Sequence, residues 1–408
     1  MQLRLYKLNA CDWYIVIGCL YYLQDVLYPS GIINRILQIL MMLWALSISL
    51  KYIINFKQTP QLLNMVSLLV VMYTIYGITF MLYSNEVNIT EGGIREVGSY
   101  LYLQNALNSL LPFYLFYAFA EQGKLTVERI RIYCFVFLLL FIAMYFKSYK
   151  QSLVQAAIAG IERKEFTNNT GYNFVMLMPI LFFIKHKLLR YVMLVIVMGF
   201  TIMCMKRGAI LMGGICFIWF LWADFRHATS IRYKLGTLFL AICALSSAVI
   251  YINYKQETSS YFRSRIEQTQ KGNASGRNMI YPKIWDAVQN DESVVHLLIG
   301  RGANSTVEIA GNYAHQDWLE LACNNGLIGV LLALSFYITI FTTAHSNRMF
   351  LPKEYYTTFL MLGFMLFSKT MFSMSIANMK IWEIMPVAFL LWFARQCALN
   401  VNKNVKSM

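Results

Sequence analysis

The chain has 408 residues, 58% of them hydrophobic and 13% charged, with a formal net charge of +15. A soluble domain carries roughly 25% charged residues, so composition excludes a water-soluble enzyme or a nucleic-acid-binding module and defines a polytopic α-helical membrane protein. Twelve apolar segments follow in chain order, near 12–28, 36–55, 62–83, 98–119, 131–147, 172–186, 190–205, 208–223, 235–253, 318–342, 355–375 and 381–398. Most are long enough to cross a hydrocarbon core of roughly 30 Å. The sixth and seventh are short and are joined by "KHKLLR". The first segment follows Arg4 and Lys7 without a small-residue cleavage site, so it reads as a retained helix. Residues 1–408 therefore read as one integral membrane domain. Within it, residues 254–317 form one large polar loop between the ninth and tenth segments.

Basic residues in short loops orient such a chain. With the N-terminus cytoplasmic, every inner segment carries two or three of them, from Arg4 and Lys7 to Arg395, Lys403 and Lys406. Both termini then lie inside and the 254–317 loop lies outside. The same count leaves an excess of cations on the outer side, including Lys147, Lys150, Arg163, Lys164, Lys369 and Lys380. Lys206 and Arg207 stand out, because they occupy a tight turn, "MKRGA", where loop length does not account for them. A cation at membrane depth costs about 2.5–3.5 kcal/mol on insertion scales. An external basic site at lipid level points to an anionic ligand.

The eight cysteines lie in or beside apolar runs without a CxxC pair, and the five histidines are scattered. No disulfide framework, metal site or cofactor is expected. The long loop has apolar faces of its own. Pro282 suits the first turn of a helix, "KIWDAVQN" places Ile284, Trp285 and Val288 on one side, and "VVHLLIG" leads into "GRG", a bend that would present Arg301. A loop of this length is usually functional, and it is expected to fold back onto the outer mouth of the bundle.

Four motifs occur in order: "MKRGAILM", "SGRNMIYPKIWDA", "LLIGRGANS" and "AHQDWLELACNNGLIGVLL", preceded by "TNNTGYNFVMLMP" at 167–179. Together they resemble the O-antigen ligase and polymerase superfamily of bacterial envelope proteins, over roughly residues 160–345. The resemblance implies a GT-C-like helical fold in the bacterial inner membrane and a periplasmic site. The reaction it implies is metal-independent, inverting glycosyl transfer from an undecaprenyl-pyrophosphate-linked oligosaccharide. It assigns the family's mid-bundle arginine to Arg207, the loop arginine to Arg277 and the motif histidine to His315. Gln316 stands where the family has asparagine, which leaves that side chain without an assigned role.

The chemistry suits these residue types. A pyrophosphate leaving group needs positive charge rather than a general acid, and arginine binds phosphate bidentately. A sugar hydroxyl needs a base, and histidine, with an ordinary pKa of about 6.5, is largely neutral at pH 7. Lys206, Arg163 and Arg301 are further candidates for the phosphates. Asp317 and Glu320 could orient His315 or bind sugar hydroxyls, and Tyr313 and Trp318 could stack on sugar. Bland alternatives stand beside these: His315 as a helix cap, Arg207 as a snorkelling charge, and Arg277 paired with Asp291 or Glu292.

The expected function is an O-antigen polymerase, with a chain-length regulator as a possible protein partner besides membrane lipid, and with no nucleic acid. A ligase acting on lipid A core shares the donor and remains open. A twelve-helix transporter or flippase is the third reading. It is disfavoured by the position of the long connection and by the scarcity of ionisable groups at mid-span.

Overall fold

The apolar runs fold as helices because a backbone in lipid must satisfy its own hydrogen bonds. The computed structural model describes residues 7–27, 31–83, 99–158, 166–270 and 277–406, and no strand occurs among them. Arg163 and Lys164 lie outside the described residues. The first eight helices are α1 (Ala10–Leu27), α2 (Gly31–Ile54), α3 (Gln61–Tyr83), α4 (Ser99–Leu110), α5 (Pro112–Glu121), α6 (Val127–Ile158), α7 (Thr170–Leu177) and α8 (Lys187–Met203). Then come α9 (Arg207–His227), α10 (Ile231–Thr258), α11 (Ser260–Gln270), α12 (Arg277–Gln289), α13 (Val294–Ile299) and α14 (Ser305–Ala310). The chain closes with α15 (Asp317–Ser346), α16 (Lys353–Phe372) and α17 (Ile381–Lys406).

Each expected span is helical, yet their lengths are uneven. Among the described residues six helices are long and apolar enough to cross a membrane: α2, α3, α6, α9, α15 and α17. The 98–119 segment is two helices, because Pro112 opens α5 and its missing N–H ends the ladder of α4. The 172–186 segment is the eight-residue α7 followed by a 3-10 turn at Pro179–Phe183, for the same reason. At the centre, nearly every residue of α5 is buried, and α17 packs along it. Trp382, fully buried, has its ring 4.7 Å from Phe141 and 4.6 Å from Tyr22.

The two ends of the bundle differ in how they use charge. At one end ion pairs tie helix termini together. Arg129 at the start of α6 binds Asp12 at the start of α1, and the buried Arg190 of α8 binds Asp224 of α9 at 2.9 Å. Arg190 is further held by the carbonyls of Phe182 and Ile184. The opposite end collects residues 259–270 and 277–316, the start of α9 and the α16–α17 connection, and it is the end that opens.

The 254–317 segment is largely helical and its beginning belongs to α10. Helix α12 starts at Arg277, so Pro282 sits in its interior rather than in its first turn. Ile284 is fully buried with Ala314, Leu319 and Cys323, whereas Trp285 points away from that cluster and is exposed. The 100° step between neighbours on a helix separates the two residues.

The "GRG" bend forms as expected. Gly300 and Gly302 both have positive φ, and the amides of Arg301 and Gly302 donate to the carbonyls of Cys323 and Asn324 at 2.9 and 3.1 Å. Helix α15 kinks opposite it at Gly326 (φ 62°, ψ −161°). A Cβ on Gly326 would lie 2.4 Å from the Gly300 nitrogen, and one on Gly300 would lie 2.4 Å from the Asn324 carbonyl. Two backbones touch here, and neither can yield as a side chain would. Gly326→Ala is therefore expected to cost about 1–3 kcal/mol, the range for a side chain forced into glycine-only backbone geometry. Thermal unfolding in detergent would check this, and an unchanged midpoint would contradict the packing described.

Candidate functional site

The open end is built by three short connections. The first is the turn between α8 and α9. Asn168 donates its backbone N–H to the Cys204 carbonyl at 2.8 Å, and its side-chain oxygen accepts from the Thr170 N–H at 2.9 Å. That brace holds the start of α7 against the turn, whose Met205 has a left-handed φ of 50°. Lys206 and Arg207 follow immediately. Beside them Gly208 is packed so closely that a Cβ would fall 2.4 Å from the Tyr172 hydroxyl and 2.8 Å from the Phe372 Cβ.

The second connection, 311–316, ends in His315, whose φ of 55° is also left-handed. Non-glycine residues adopt this region seldom and only where their surroundings enforce it. The enforcing group is Glu320, buried in the first turns of α15. Its carboxylate accepts the Ala314 N–H at 2.6 Å, the His315 N–H, the Thr306 hydroxyl at 2.6 Å and the Asn324 amide at 3.2 Å. Gln316 then caps α15 in an extended conformation, without a side-chain capping bond.

The third connection joins α16 to α17. Asp317 fixes it, accepting the amides of Ser375 and Ile376 at 2.7 and 3.0 Å. Lys369 pairs with Glu383 at 2.6 Å, and Glu383 also accepts the Lys380 N–H.

Between these connections lies a cavity of about 550 Å³. His315 opens into it, and its walls carry three lysines, Lys147, Lys369 and Lys380, with Asn168, Asn169, Asn173 and Asn378 between them. Arg277, at the start of α12, donates to the Phe372 carbonyl at 3.0 Å, on the wall that also receives Gly208. Partial burial, then the charges of Arg277 and Lys206, hold the His315 pKa below its ordinary value. Burial and the neighbouring Lys369 charge push Lys380 down to about 8.

The sequence candidates therefore separate. His315 lines the cavity, Arg277 and Lys206 stand close enough to act on its charge, and Arg207 opens α9 one residue before Gly208. Arg277 does not pair with Asp291, which instead takes Arg301 at 2.8 Å and His296 at 2.9 Å. Arg301, which also donates to the Ala287 carbonyl at 2.9 Å, braces the loop away from the cavity. Trp318 turns into the bundle, its indole N–H on the Thr370 hydroxyl at 2.9 Å and its ring among Tyr337 and Phe367. Tyr313 is partly buried, which pushes its hydroxyl up to about 12.

Sequence reading did not select the three cavity lysines as ligands. Their signal was the excess of cations on one side, which says that charge gathers there but not which side chains face each other. The "TNNTGYN" stretch carries the family resemblance, but neither its asparagines nor Asn378 stand among the sequence-predicted site residues.

Six span-length helices among the described residues, and a cavity at one end of the bundle whose wall carries three lysines, one of them paired with Glu383, define an integral membrane protein with a polar cavity. Residues 191–334 match the family model described as O-antigen ligase, which places this segment in the O-antigen ligase and polymerase superfamily. The matched segment contains Lys206, Arg207, Arg277 and His315. No curated protein matches the chain.

Proposed function

We propose that this protein is a glycosyltransferase that polymerises undecaprenyl-pyrophosphate-linked oligosaccharide repeat units into a surface polysaccharide, the O-antigen. On this reading it spans the bacterial inner membrane about twelve times, with both termini in the cytoplasm and the cavity on the periplasmic face. The observation that carries the reading is His315, held on left-handed backbone at the wall of a cavity that also carries Lys147, Lys369 and Lys380.

The acceptor sugar hydroxyl attacks the anomeric carbon of the donor from the side opposite the pyrophosphate. The new glycosidic C–O bond forms as the carbon–phosphate oxygen bond breaks, so the anomeric configuration inverts. The hydroxyl proton passes to a ring nitrogen of His315. Undecaprenyl pyrophosphate leaves with the electron pair, its charge stabilised by Arg277, Arg207 and Lys206. Asp317 and Glu320 position the connections, since Asp317 Oδ2 accepts two backbone amides and both Glu320 oxygens accept from backbone or neighbouring side chains. The reaction needs no metal.

The test uses purified protein, a defined lipid-linked repeat unit and a chelator, with and without lipid A core. A product ladder still anchored on undecaprenyl pyrophosphate without added core supports polymerisation. Product formed only on core lipid would make the protein a ligase. No transfer from a substrate of confirmed identity would reject glycosyl transfer and favour transport.

The charges predict a bell-shaped pH profile. The lowered His315 pKa means that the neutral base persists below pH 6.5, so kcat/KM should fall only when pH drops beneath that value. Bound pyrophosphate offsets the Arg277 and Lys206 charges, so the acid limb of kcat should lie at higher pH than that of kcat/KM. The alkaline limb should fall near pH 8, as Lys380 loses its proton and the cavity loses a cation. Identical acid limbs for the two parameters would contradict the charge coupling.

A further inference from the structure

Helix α13, "VVHLLI", carries five large apolar side chains, Val294, Val295, Leu297, Leu298 and Ile299, each between 43% and 68% exposed. A contiguous apolar patch of this kind on a polar segment marks a contact with something apolar. Its place in the fold says with what. The Ile299 carbonyl accepts the hydroxyl of Tyr76, which also reaches the Asn325 carbonyl at 3.4 Å. Tyr76 lies two turns before the end of α3 at Tyr83, or about 10 Å along the axis at 1.5 Å per residue. Helix side chains lean toward the N-terminus, which in α3 is the end away from the cavity, so the hydroxyl sits no nearer the surface than that. The C-terminal end of α13 is therefore held below the end of an apolar span rather than above it.

The surroundings agree. Ile75 and Ile78 on α3, and Leu327, Ile328 and Leu331 on α15 beyond its kink, are themselves exposed and continue the apolar surface of the spans. The close contact of Gly300 with Gly326 fixes α13 against α15 at this height. The helix's one ionisable side chain, His296, and the adjacent Arg301 both bind Asp291.

We infer that α13 is immersed in the bilayer leaflet on the cavity side, its apolar side chains in contact with acyl chains, as a membrane anchor of residues 277–316. An interfacial helix of this kind holds by its buried apolar area. Fixed there, it sets the height of the chain from Gly300 to His315 relative to the membrane. The placement does not depend on the function proposed above.

The test places an NBD-labelled cysteine at Val295 or at Leu297, with the exposed Cys243 changed to serine and the unlabelled-site background subtracted. The full chain is reconstituted in phosphatidylcholine–phosphatidylglycerol vesicles, with 5-doxyl lipid or aqueous iodide as quencher. Labels at Ile78 and at the exposed Glu308 serve as lipid and water references. The expected result is doxyl quenching within twofold of that at Ile78, with iodide quenching several-fold below that at Glu308. Doxyl quenching less than half of the Ile78 value overturns the inference. Accompanied by iodide quenching it puts α13 in water, and without iodide quenching it means that protein, such as a second copy of the chain, covers the helix.

Discussion

Replacing His315 with glutamine is expected to lower turnover by about 10²–10⁴-fold, the range for loss of a positioned general base, while leaving donor binding nearly unchanged. Glutamine keeps a polar side chain of similar length on the same backbone, so the cavity shape survives and the base does not. The expected pattern is a fall in kcat with little change in KM, measured with purified enzyme and a defined lipid-linked donor, and with the acid limb of the profile abolished. A turnover within threefold of the parent would remove His315 from the chemistry. The strained φ of 55° makes a second variant informative. Glu320→Gln can still accept through one oxygen, but it loses either the acceptor of the Ala314 N–H or the one shared by the Thr306 hydroxyl and the Asn324 amide. An intermediate loss in kcat is expected, since the base remains but its backbone is held less firmly.

The helical class of the fold was legible in the sequence because lipid imposes one constraint on every backbone group. Helix integrity was less so. Pro112 and Pro179 break apolar runs that hydropathy alone reads as continuous, and hydropathy carries no information about ladder donors. In the loop, the fate of Trp285 and Arg301 turned on which neighbours arrived from elsewhere in the chain. Ile284 meets Leu319 and Cys323, and Arg301 meets Asp291, through contacts no local pattern encodes. His315 was legible because its motif is local and its chemistry distinctive. Lys147 comes from the second half of α6, Lys369 from the last turn of α16 and Lys380 from the residue before α17, and only the packed bundle brings them to one cavity. Glu320 could be named from its place beside the histidine, but its use as a clamp on backbone amides could not.

For Arg277→Ala the expected loss in kcat/KM is about 10²–10³-fold, the scale for removing one charge-stabilising donor from a transition state. Arginine has five N–H donors in a fixed fork. One nitrogen of Arg277 is committed to the Phe372 carbonyl at 3.0 Å, which fixes the plane of the guanidinium while leaving the other donors for phosphate oxygens. The alanine variant should also shift the acid limb of kcat/KM to higher pH. Arg277 is, after burial, the main cause of the lowered His315 pKa, so its removal lets that pKa rise toward about 6.5. Arg277→Lys separates the two roles. Lysine keeps the charge, so the acid limb should stay where it was, but it lacks the planar fork and cannot hold Phe372 and phosphate together. The expected outcome is a rate loss close to that of alanine with the parent pH profile. If lysine restored the rate as well, Arg277 would act as a point charge, and the bond to Phe372 would be incidental to catalysis. If neither variant moved the limb or the rate, the loop arginine would lie outside the reaction, and the cavity lysines would carry the pyrophosphate.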